Sequence, residues 1–135
     1  MADPLGDFLQ HCARRNRVPG EWDCAAMPAA WAIELCGRDP MAEWRGAYAS
    51  DEKGDQIADQ AGGLSVLFQR GFGAIGWTET DDLRAGDVGV IRIAGLQAGA
   101  IFAGERWAFA ANRGVGFAHV GAEHIAGIWG WRDHG

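Results

Sequence analysis

Residues 21–37 read EWDCAAMPAAWAIELCG. Ala26, Ala30, Ile33 and Gly37 recur at helical spacing, and so do Met27, Trp31 and Leu35. Apolar residues on most sides predict a buried helix rather than an amphipathic one. Pro19-Gly20 supplies a turn just before it. Asp23 is the expected N-cap, because a carboxylate accepts from the unpaired N–H groups of a first turn. Gly37 is the expected C-cap, free to take positive φ. Cys24 would then open the helix, where the positive end of the helix dipole favours a thiolate and lowers the thiol pKa. Pro28 complicates this start, since its ring crowds the carbonyl four residues back, that of Cys24. Either the first turn is distorted, or the regular helix begins near Met27 and Cys24 lies on the turn leading into it. Cys24 is thus a candidate nucleophile, set against the commoner role of a free cysteine as a small buried hydrophobe.

Working outward, the N-terminal half is helical. Residues 2–17 read as an amphipathic helix with Asp3 as N-cap, Pro4 at its first position and an apolar face of Leu5, Phe8, Leu9 and Cys12. Arg14, Arg15 and Arg17 gather at its end, where the dipole favours them. His11 lies among these and is expected to be exposed. Residues 41–48 form a short helix or turn. Asp51 can cap a third helix over 52–61, with Ile57, Ala58 and Ala61 inward, and Gly62-Gly63 ends it. Leu64, Leu67 and Phe68 mark a fourth helix over 64–72.

The period changes near Gly86. Short apolar runs at 88–93, 98–103, 106–111, 115–120 and 128–131 alternate with glycine turns, Gly104-Glu105 among them. Such runs predict an antiparallel meander of about five strands. Residues 122–125 fit one helical turn. The fold class is therefore α+β in a single domain, residues 1–135. Helices dominate residues 1–76 and strands residues 77–135, with the central helix packed on the sheet.

Composition excludes several functions. Twelve basic and eighteen acidic residues give a net charge of −6, which disfavours a nucleic-acid surface. No stretch has the apolar length of a membrane span, and the first residues lack the apolar core of a signal peptide. Three cysteines, Cys12, Cys24 and Cys36, match no zinc spacing and fit a reducing compartment. No metal or cofactor is expected. Seven tryptophans are too many for the surface of a stable monomer, so most should be core and one or two could mark an interface.

Asp23-Cys24 before a buried helix, followed by Gly86-Asp87-Val88 and an antiparallel sheet, resembles the NlpC-type branch of the papain-like cysteine peptidases. More closely, the pattern resembles small proteins encoded among phage and prophage tail genes. It shares with them the Trp22–Cys24 start, the Gly-Arg-Asp-Pro segment at 37–40, Gly-x-Tyr at 46–48 and a terminal Trp. The resemblance implies a papain-like fold with Cys24 at the nucleophile position. It places the histidine base at the opening of the second strand, where this chain has Gln97. A glutamine amide cannot take a proton from a thiol. The third polar position falls near residues 109–111, Phe-Ala-Ala, and is apolar. His119 is the one candidate replacement base: if Phe117 faces the core, His119 two residues on does as well. His124 and His134 are expected to be solvated.

Three functions follow. The first is a structural or assembly component of a phage-type tail with a degenerate hydrolase fold. It would have protein partners in the tail tip and reside in the virion tail, or in the host cytoplasm before assembly. The second is an active cysteine peptidase or amidase cutting peptidoglycan peptides through Cys24. The third is a small module binding a peptide or glycan in the relict cleft.

Overall fold

The structure is a computed structural model that describes residues 3–132. It is α+β: four helices precede or pack on one open, antiparallel six-stranded sheet. The helices are α1 Pro4–Cys12, α2 Ala26–Cys36, α3 Asp51–Ala61 and α4 Leu64–Ala74. The strands are β1 Thr78–Glu79, β2 Val88–Ile93, β3 Leu96–Phe102, β4 Trp107–Ala110, β5 Val115–Ala118 and β6 Ile125–Gly130.

Helix α1 starts as expected, with the Gly6 N–H donating to Asp3 Oδ1 at 3.1 Å and Pro4 in the first turn. It ends at Cys12, not at Arg17. Residues beyond it leave the helix to join the sheet side of the molecule: the Gly114 N–H donates to the Arg15 carbonyl and the Arg17 N–H to that of Asn112. Those long-range backbone bonds outcompete a further helical turn. Helix α2 ends as predicted on left-handed Gly37, φ 76°, whose N–H reaches the Ile33 carbonyl. It begins at Ala26, so Cys24 lies on the turn before it, the second of the two expected arrangements. Helix α3 is capped by Ser50, whose hydroxyl accepts from the Lys53 N–H at 3.2 Å; Asp51, expected as the cap, is instead its first residue.

The sheet order is β1-β6-β2-β3-β4-β5. Strands β2 to β5 form the expected meander. The last strand departs from it: after a single 3₁₀ turn at Ala122–His124, β6 returns to pair with β2 on its other side, and β1 closes that edge. Helices α2 and α4 cover one face. Val88, Val90 and Ile101 point into this layer with Phe68, Phe72 and Trp129. Alternation sends Ile91, Ala100 and Trp107 to a smaller apolar cluster on the other face. Six of the seven tryptophans are buried, and Trp131 is half-buried. Trp31 ties α2 to the opening of β2 through a 2.8 Å bond from its indole N–H to the Gly86 carbonyl. Asp87, next along, is buried and receives both outer nitrogens of Arg132, at 2.7 and 3.0 Å.

Candidate functional site

The turn before α2 is organised by the Asp23 carboxylate. Its Oδ1 accepts from the N–H groups of Ala25 and Ala26 at 3.0 and 2.8 Å. Its Oδ2 accepts from the Gly20 N–H at 2.9 Å and from the Tyr48 hydroxyl at 2.6 Å. Asp23 is buried, so these four donors replace the water it has lost. The result is a rigid turn that fixes Cys24 against β3. A Cβ placed on Gly99 would stand 2.3 Å from the Cys24 carbonyl oxygen and 2.7 Å from Phe68 Cζ. Only glycine lets the strand come this close.

Cys24 and Gln97 line one cleft of about 680 Å³, in the size range of small-molecule and peptide sites. One wall is the Cys24 turn with Arg17 and Tyr48. Another is α3, from which Asp51, Asp55 and Asp59 project at helical spacing, and the opening of β3 brings Gln97. Arg17 pairs with Asp51 through both outer nitrogens, one at 2.9 Å. Gln97 is anchored to the other side: its Oε1 accepts from the Ser65 N–H at 3.3 Å. The positions expected for nucleophile and base are thus brought to one cavity, and the second is an amide.

The electrostatics of Cys24 reverse the expectation from the helix dipole. Its thiol pKa is raised, and burial is the main cause. The Gly99 N–H opposes this by favouring the thiolate, the Asp23 carboxylate adds to the rise, and Arg17 opposes it. Burial disfavours the charged thiolate, and this is the largest influence on the group.

Among the described residues no histidine lines the cleft. His119 is exposed and follows β5 at the far edge of the sheet, with β4 between β5 and β3. Phe117, which the alternation argument needed in the core, is 43% exposed. His11 is exposed on α1, and His124 is exposed beside Glu123. His134 lies outside the described residues. Residues 109–111 are the end of β4 and its turn, apolar as read. No group of three or more potential metal-binding side chains converges among the described residues.

A second groove, of about 480 Å³, runs beside α1 and the opening of β2. Its charged residues are Asp3, Arg84, Asp87 and Arg132: Asp87 and Arg132 pair with each other, Arg84 pairs with Asp82, Asp3 caps α1, and no thiol lines it. Sequence reasoning gave Tyr48, Asp55 and Asp59 no role, and took Arg17 only as a helix-end cation and Asp51 only as a helix cap. Only Tyr48 had left a trace there, in the Gly-x-Tyr segment at 46–48.

No curated protein and no solved structure matches the chain. The model of one family, described as a domain of unknown function and designated DUF6950, matches residues 2–130. The chain belongs to that DUF6950 family.

Proposed function

We propose that this chain is a structural or assembly component of a phage-type tail, built on a papain-like scaffold that has lost hydrolytic chemistry. The observation that carries this reading is the cleft itself, where Cys24 shares its cavity with Gln97 and not with an imidazole. A thiol raised in pKa by burial is a poor nucleophile at neutral pH without a base to take its proton. The leaving amine also needs a proton, which an amide cannot give. General acid–base assistance of this kind contributes about 10²–10⁴-fold to an enzymatic rate. The papain-like assignment is supported by the cysteine turn ahead of a buried helix that packs on an antiparallel sheet. The tail assignment is supported by the motifs at 22–24, 37–40 and 46–48.

Two of those motifs have structural work that suits a scaffold. Asp39 of the 37–40 segment accepts from the Met41 N–H at 2.9 Å and from Arg45 at 2.6 and 2.9 Å, holding the connection between α2 and α3. Tyr48 of the 46–48 segment holds Asp23.

The test uses purified peptidoglycan. Wild type is expected to release no soluble peptide. Release by wild type that disappears in Cys24→Ala would overturn the reading in favour of a cysteine peptidase, and its loss in His119→Ala would identify a base arriving from the sheet edge. In purified tails the chain is expected as a stoichiometric component; its absence from them would sink the assembly reading.

A further inference from the structure

We propose that two copies of this chain associate about a two-fold axis, the arginine corner of each docking on helix α3 of the other. The inference rests on surface charge and backbone geometry, and stands apart from the tail reading.

The corner is built from two distant segments. An isolated antiparallel bridge joins Asn16 to Arg113, the Arg17 N–H donates to the Asn112 carbonyl at 3.0 Å, and the Gly114 N–H donates to the Arg15 carbonyl at 2.8 Å. These bonds bring together the backbone segments that carry Arg14, Arg15 and Arg113, and all three residues are exposed. None of the three has an ion pair among the described residues. Arg15 is held in place, its guanidinium 3.9 Å over the Trp22 ring. Three exposed arginines without an ion pair among the described residues stand out on a chain of net charge −6.

Helix α3 is the complement. Glu52, Asp55 and Asp59 are exposed and likewise have no ion pair among the described residues. Lys53 is the only cation of that helix. The two patches adjoin at the Arg17–Asp51 pair. A surface with a positive region beside a negative one is self-complementary under a two-fold rotation, since each patch then meets its opposite twice. Two such contacts neutralise six charges of each sign, which offsets the repulsion between two acidic chains. Val18, 44% exposed next to Arg17, offers apolar surface near the seam.

Sedimentation equilibrium on the intact chain tests this. A dimer is expected at about 0.01 M salt, where screening extends about 30 Å, and a monomer at about 1 M, where it extends about 3 Å. The double variants Arg14→Glu/Arg113→Glu and Asp55→Lys/Asp59→Lys should each be monomeric with wild-type melting curves. Mixing the two should restore a dimer, because each then presents the charge the other has lost. A wild type that stays monomeric at low salt, or that forms open-ended assemblies, would overturn the proposal. So would a dimer that neither double variant weakens, or a mixture that stays monomeric.

Discussion

The Tyr48 hydroxyl donates a 2.6 Å hydrogen bond to Asp23 Oδ2, linking the loop before α3 to the turn that carries Cys24. Tyr48 is half-buried, and the acceptor is a buried carboxylate. A hydrogen bond to a charged group contributes about 1.5–3 kcal/mol. Tyr48→Phe is expected to destabilise the fold by about that amount, since it removes one donor of four. Asp23→Ala should cost more, because it strands the N–H groups of Gly20, Ala25 and Ala26 at once. Urea denaturation of the three proteins gives the comparison; a Tyr48→Phe midpoint equal to wild type would mean that water replaces the hydroxyl.

The same bond sets a pH dependence. Burial, and then the Asp23 carboxylate, push the Tyr48 pKa well above the ordinary phenol range. Burial pushes the Cys12 thiol up to about 11. Above the unfolded values, about 8.5 for cysteine and about 10 for tyrosine, the unfolded chain has released protons that the folded chain retains. Stability therefore falls as pH rises through that window. Thermal melts between neutral pH and about pH 11 should show a steep decline in wild type. The decline should be shallower in Cys12→Ala/Tyr48→Phe. Parallel declines in the two proteins would refute this origin.

Backbone conformation offers a prediction of opposite sign. Ala94 and Gly95 form the two-residue loop between β2 and β3, with φ of 53° and 80°. A loop of this kind needs positive φ at both central residues, and alanine is the unfavourable one. Left-handed backbone costs an ordinary L-residue roughly 1–2 kcal/mol. Ala94→Asn creates the preferred Asn-Gly pair and is expected to raise the melting temperature, by up to about 1 kcal/mol in stability. Gly99→Ala should do the reverse. Its methyl group would meet the Cys24 carbonyl oxygen, and overpacking of this kind costs about 1–3 kcal/mol.

The sequence was most legible where structure is decided within a few residues. Asp3 and Pro4 start α1, Gly37 ends α2, and Gly104-Glu105 turns β3 into β4 because caps and hairpin turns are local chemistry. The change of period near Gly86 located the sheet. What escaped depends on contacts far along the chain. The early end of α1 is imposed by backbone bonds to residues 112 and 114. The return of β6 to β2 is a choice of edge, which alternation alone does not decide. At the site, the cysteine turn was legible from its segment and Gln97 entered only through the family resemblance, while Tyr48 is 25 residues from Asp23, and no local pattern pairs them. The thiol pKa was misread for the same reason: the dipole is a local argument, whereas burial is set by β3 and the cleft walls.

That misreading yields the last prediction, on Cys24 itself. Alkylation by iodoacetamide proceeds through the thiolate, so its rate follows the thiolate fraction as well as access. Cys24 keeps part of its surface open to the cleft, while burial raises its pKa above the ordinary thiol value. Its alkylation at neutral pH should therefore be slower than that of a free thiol, and should rise only in alkaline solution. Arg17 is the nearby cation that favours the thiolate. Arg17→Met should move the midpoint of the rate profile to still higher pH. Widening the cleft by removing a long side chain would by itself accelerate alkylation at every pH, so the midpoint, not the absolute rate, carries the argument. Peptide mass spectrometry separates Cys24 from Cys12 and Cys36. A midpoint for Cys24 below that of a free thiol would show that the helix dipole and Arg17 prevail over burial. It would also restore Cys24 as a candidate nucleophile.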